Sequence, residues 1–205
     1  MHLSFKIYCV LFIMSLLVAC DHSRNKTARN ENGTGKVETR KFNTKTGKLF
    51  EVHIDRSLSA SLNEVKVITK KYDTVNDTFN LGSIDPVKNI FLADLDSNGF
   101  EELYLETRSV GSGSYSNLYG WASNKDKSVS PVYIPAISKK EQEEGELFNG
   151  FMGHNTFKIE NKKLVNEFPV FLEGDTNANA TGGTRKVVYE LIAGEAGWQL
   201  VPNKD

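Results

Sequence analysis

The chain has 205 residues, a formal net charge of -1, 39% hydrophobic residues and 10% aromatic ones. That is enough apolar material for one domain with a respectable core, and the near-neutral charge gives no support to a nucleic-acid partner. The two cysteines are Cys9 and Cys20, so the chain beyond residue 20 has neither a disulfide nor a thiol for catalysis or metal binding.

At the amino terminus, Lys6 precedes an apolar run from Ile7 to Leu17 that ends in Leu17-Val18-Ala19-Cys20. The run is too short to cross a bilayer comfortably and has the form of a secretory signal. Its last four residues resemble the lipobox of bacterial lipoproteins. The resemblance implies cleavage before Cys20, a diacylglycerol thioether on that cysteine and an acylated amino group, which together anchor stably to a membrane. Residues 1–19 are therefore expected to be a signal peptide, and the mature protein to be lipid-anchored in a bacterial cell envelope. Losing Lys6 takes the formal charge from -1 to -1 - 1 = -2.

From Asp21 to Arg40 the chain reads DHSRNKTARNENGTGKVETR, with one aliphatic residue beyond Ala and no aromatic. Such a composition cannot bury enough to offset the entropy of ordering. Residues 20–40 are read as a flexible tether and 41–205 as a single folded domain.

Within the domain, short alternating or apolar runs occupy 48–55, 62–69, 77–81, 89–95 and 102–109, then 117–123, 128–134, 156–160, 163–171, 185–192 and 197–201. Turn signals such as Asn98-Gly99, Asn161-Lys162 and Thr181-Gly182-Gly183 separate them. The pattern predicts an all-β fold, an antiparallel β-sandwich or barrel-like domain. One short helix is expected to interrupt it. Ser138 followed by Glu141 makes a capping box ahead of KKEQEEGELF, a charged segment that turns only Ile137, Leu147 and Phe148 inward.

Two stretches carry candidate chemistry. In Asp94-Leu95-Asp96-Ser97-Asn98-Gly99-Phe100-Glu101-Glu102, oxygen-bearing side chains fall at positions one, three and five, with Gly at six. That is half of an EF-hand loop. Position twelve is Leu105, so the bidentate glutamate is missing, but Glu102 at position nine completes a shorter loop. A Ca²⁺ site built from Asp94, Asp96, Asn98 and Glu102 is one reading. An ordinary hairpin turn, which favours the same residues, is the other.

The second stretch is Arg108-Ser-Val-Gly-Ser-Gly-Ser-Tyr115, whose glycines and serines predict a tight polar turn between two apolar strands. Ser112 could pair with His53 or His154 as a hydrolase nucleophile, but no strand-to-helix elbow frames Gly111-Ser112-Gly113. Zinc would need more nitrogen or sulfur ligands than the spacing offers. The expectation is a binding protein and not an enzyme.

Ser112-Gly113-Ser114-Tyr115 fits the Ser-Gly-x-Tyr signature of the periplasmic inhibitors of invertebrate-type lysozymes. The resemblance extends through Phe91 to Asp96, Glu102-Leu103-Tyr104, Thr107-Arg108-Ser109, Gly153-His154, Glu167 to Val170 and Gly182 to Arg185, and covers roughly residues 48–200. It implies a β-sandwich lipoprotein whose loop enters the substrate cleft of a lysozyme. A glycosidase of that class works with paired carboxylates. Hydroxyls of Ser112 and Tyr115 can donate charge-assisted hydrogen bonds to such carboxylates, each worth about 1.5–3 kcal/mol. Gly111 and Gly113 are expected to keep the tip thin enough for a cleft made for a sugar chain.

Overall fold

The computed structural model describes residues 37–195 and 197–203. The expected signal peptide, Cys20 and most of the expected tether lie outside the described residues.

Four strands, β1 (Val37–Asn43), β2 (Leu49–Asp55), β3 (Asn63–Lys70) and β4 (Thr78–Ile84), form one sheet in sequence order. A larger sheet holds β5 (Val87–Ala93), β6 (Glu102–Arg108), β7 (Ser116–Ser123) and β8 (Val129–Tyr133). It continues with β9 (Thr156–Glu160), β10 (Lys163–Pro169), β11 (Thr184–Gly194) and β12 (Gly197–Pro202), in the order β5-β6-β7-β8-β12-β11-β10-β9. The ladders are antiparallel except for a short parallel pairing of β8 with β12, through Trp198 against Val132 and Gln199 against Tyr133. The fold is all-β, and the eleven runs expected from the sequence correspond to β2 through β12.

Two expectations are corrected. β1 begins at Val37, inside the segment read as tether. Its sequence, VETRKFN, buries only Phe42 fully. The strand forms because seven residues pair along β2, and a charged edge strand of this kind leaves no hydrophobic period to detect. The helix shrinks to one 3₁₀ turn, Lys140–Gln142. The capping box does form: Ser138 N–H and Oγ–H donate to Glu141 Oε2 at 2.7 and 2.6 Å, and Glu141 N–H returns to Ser138 Oγ at 3.3 Å. Propagation stops because the segment has no apolar face before Leu147, and Gly145 turns the backbone at φ +82°. Phe148 is buried, and Ile137 and Leu147 pack partly against the same core, as expected.

Strand β6 divides the interior. Leu103 and Leu105 point toward the four-stranded sheet and share a core with Phe50, Val52, Ile54, Val67 and Trp121. Tyr104 points the other way, into a second core with Leu118, Phe157, Leu164, Phe168 and Leu200. That second core draws on every strand from β6 to β12, so the larger sheet must curl around it into a near-barrel. The first sheet packs on the outside of β5, β6 and β7. Every residue of β6 from Glu102 to Thr107 is buried. Both candidate loops therefore hang from the ends of the most enclosed strand.

Candidate functional site

The loop from β5 to β6 is closed by its own side chains. Asp94 Oδ2 accepts the N–H of Gly99 at 3.1 Å, Asp96 Oδ1 that of Asn98 at 3.1 Å, and Asn98 Oδ1 that of Phe100 at 2.7 Å. Asn98 also donates its side-chain amide to Asp96 Oδ2 at 2.7 Å, so both of its amide atoms are committed within the loop. Asp94, Asp96 and Glu102 each bring one carboxylate oxygen within 4.8 Å of the others. Three of the four expected ligands are thus gathered. Glu102 is 1% exposed and accepts the N–H of Leu95 at 2.9 Å. Burial first, then the charges of Asp96 and Asp94, push its carboxyl up to about 8. Burial also raises Asp96.

The loop from β6 to β7 is organised differently. Ser109 and Tyr115 close its neck, with Ser109 N–H donating to Tyr115 O and Tyr115 N–H to Ser109 Oγ, each at 2.9 Å. A turn across the tip joins Ser114 N–H to Gly111 O at 2.9 Å. Val110, Gly111 and Ser112 are exposed, and Tyr115 is 45% exposed. The loop does not stand free. Gly113 O accepts the N–H of His154 at 2.7 Å, and the Tyr115 ring meets Phe151 edge-on with centroids 5.8 Å apart. Phe151 in turn packs on Phe168 at 5.0 Å, which carries the contact into the second core.

This geometry revises the reason for two glycines. A Cβ on Gly113 would lie 2.3 Å from the Tyr115 ring, so Gly113 is small because the ring lies over it. Gly111 has open space around it. The tightest requirement falls on Gly153, at φ +88°, where a Cβ would come within 2.1 Å of Gly113 O.

Beneath the loop lies a set of residues that the sequence did not single out. Asn155, 1% exposed, accepts the N–H of Ser116 at 2.9 Å and donates to Ser116 O and Asn166 Oδ1, both at 3.1 Å. Arg108 reaches Asn155 O at 2.7 Å through Nη2 and Ser116 Oγ at 3.3 Å through Nε. These bonds fix the root of the loop from both strands. The one sequence signal near them is the pair Gly150 and Gly153 flanking Phe151-Met152, a spacing that marks two reversals around an apolar pair.

The histidines weighed as partners for Ser112 are engaged elsewhere. His53 lies on β2, 3.3 Å from Thr39 Oγ1. His154 Nε2 lies 3.3 Å from Asn177 Oδ1, and its ring packs near Phe171. What the loop offers is an exposed hydroxyl, a half-exposed aromatic and a backbone held at neck, tip and flank. Comparison with protein-family models, curated proteins and solved structures finds no match to this chain.

Proposed function

We propose that the protein binds and inhibits a lysozyme of the invertebrate type by inserting Ser112-Gly113-Ser114-Tyr115 into the active-site cleft. The observation that carries this reading is that the loop is exposed and braced at once. Ser112 is exposed and Tyr115 is 45% exposed, while Gly113 is tied to His154 and the Tyr115 ring rests on Phe151. A loop already held in one conformation loses little entropy on binding. The Tyr115 ring supplies apolar area with a hydroxyl at its edge, the character of an interface anchor. With Ser112 it presents two hydroxyl donors to a cleft whose chemistry depends on two carboxylates. Lipid on Cys20 would hold such an inhibitor at the envelope, beside the peptidoglycan that it protects.

The test is a cell-wall turbidity assay with an invertebrate-type lysozyme. Wild-type protein is expected to inhibit, and Ser112→Ala and Tyr115→Ala each to weaken inhibition roughly 30- to 1,000-fold, the effect of losing about 2–4 kcal/mol at a central anchor. Tyr115→Phe isolates the hydroxyl and should fall between wild type and Tyr115→Ala. A folded Ser112→Ala/Tyr115→Ala double variant that still inhibits fully removes the loop from the binding surface. Independently, Cys20→Ser is expected to free the protein from membranes, since each buried acyl CH₂ contributes about 0.8 kcal/mol. Retention of that variant through a high-salt wash overturns the lipid anchor.

A further inference from the structure

We propose that Asp94, Asp96 and Glu102 form a calcium site that closes the loop between β5 and β6. The proposal does not rest on the lysozyme reading. One oxygen from each carboxylate lies within 4.8 Å of the other two. Calcium holds its oxygens at 2.3–2.6 Å, so ligands on opposite sides of the ion stand roughly 4.6–5.2 Å apart, and the three oxygens fit one coordination sphere. The donors are hard oxygens, which select calcium or magnesium over zinc or copper. Phe100 occupies position seven, where loops of this spacing supply a main-chain carbonyl. Magnesium demands a tighter octahedron and keeps several waters, which suits three gathered carboxylates with one of them enclosed less well.

A turn-only account explains part of the loop. It assigns Asp94 Oδ2 to the N–H of Gly99 and Asp96 Oδ1 to that of Asn98. It leaves the rest without a reason. Asp94 Oδ1 is enclosed and accepts no hydrogen bond. Glu102 is 1% exposed, and among the described residues no Lys or Arg pairs with it. Tyr104 lies two residues further along β6 on the face of Glu102, wholly buried, and its hydroxyl has no partner. A buried carboxylate without a counter-ion is strongly disfavoured, and a dication held between Glu102 and the half-buried Asp94 and Asp96 supplies the missing charge.

The experiment uses the purified protein, stripped with a chelator and titrated with calcium or magnesium chloride at constant ionic strength. Calorimetry is expected to show one saturable calcium site with a dissociation constant of about 10⁻⁴–10⁻³ M, the range of weak sites with few charged ligands. The thermal midpoint should rise along the same titration, because an ion that binds only the folded state stabilises it. Magnesium should bind roughly tenfold or more weakly, and Glu102→Gln should lower calcium affinity about 10- to 100-fold. Should Glu102→Gln fail to fold, Asp96→Asn replaces it. Tyrosine-sensitised terbium emission, displaced by calcium, reports binding without reference to melting. The absence of both heat and a midpoint shift at about 10 mM calcium overturns the site, since that concentration saturates even its weakest expected affinity. A calcium response unchanged in folded Glu102→Gln and Asp96→Asn places the ion elsewhere and also overturns it. Lysozyme inhibition measured in parallel separates the two readings, because either result stands if the other fails.

Discussion

The two loops at the ends of β6 are built on opposite plans. They lie roughly 20 Å apart, the length of a strand of this size. The loop after β5 is tied by bonds spanning two to five residues, from Asp96 to Asn98, Asn98 to Phe100 and Asp94 to Gly99. The loop after β6 has three short hydrogen bonds of its own, two at the neck and one at the tip, but its position comes from Phe151, Gly153, His154 and Asn155. The first carries the instructions for its shape within its own nine residues. The second takes its final place only when a distant segment has folded against it. Short side-chain-to-backbone closures make a loop autonomous, whereas a docked loop is only as firm as the surface it rests on.

The strongest challenge to this contrast is at the glycines. Gly153→Ala places a Cβ 2.1 Å from Gly113 O at a φ of +88°. It is expected to cost about 2–5 kcal/mol, combining the left-handed backbone penalty with overpacking, and to weaken lysozyme inhibition although residue 153 lies outside the signature. Gly111→Ala, with open space around it, should stay within about 0.5 kcal/mol of wild type. Urea denaturation of both variants measures the difference. Equal stabilities would mean that the loop does not depend on its flank.

A smaller difference is expected between two asparagines. Asn155→Ala leaves Ser116 N–H and Asn166 without their partner in a buried site. It should cost about 2–3 kcal/mol and loosen the root of the Ser112 loop, with loss of inhibition. Asn98→Ala removes exposed bonds to Asp96 and Phe100. It should cost about 0.5–1.5 kcal/mol and leave inhibition unchanged. Thermal melts beside the turbidity assay check both halves. Lost inhibition in Asn98→Ala would join the two loops into one functional unit.

The smallest effect is a pH dependence on the docking side. Asn177, which meets His154, belongs to a turn that Asp175 closes by accepting the N–H groups of Leu172 and Thr181 and the hydroxyl of Thr181. These bonds, that of Leu172 first, hold the Asp175 carboxyl below its ordinary value of 3.8. A depressed folded-state pKa means a contribution fully present above 3.8 and lost as pH falls through the lower, folded value. The protection factor of the Thr181 amide, corrected for intrinsic exchange, should therefore fall in strong acid in wild type, and be low at every pH in Asp175→Asn. Equal protection in both at neutral pH would leave the turn without need of its charge.

Much of the architecture was legible because β-strands announce themselves by alternation and their turns by Asn, Gly and Thr. β2 through β12 follow from local pattern, as does the capping box at Ser138 and Glu141. β1 escaped because its stability comes from pairing with β2 and not from its own apolar period. The helix was overread because a cap starts a helix but an apolar face must continue it, and KKEQEEGELF lacks that face. The parallel contact of β8 with β12 had no local mark either, since it joins strands separated by three others in the chain.

The sequence by itself determined where the two loops fall and what groups they carry: carboxylates in one, and Ser112 with Tyr115 in the other. It also determined how the first loop closes, because each of those bonds joins near neighbours whose side chains favour such closures in any context. Only the tertiary structure decided that Gly113 makes room for the Tyr115 ring, that Gly153 must admit Gly113 O, and that Asn155 holds Ser116 from 39 positions away. Those contacts exist because the larger sheet curls and brings β9 beside β7. Curling is driven by filling the second core, a sum over many strands, and a sum of that kind leaves no readable trace at any one residue.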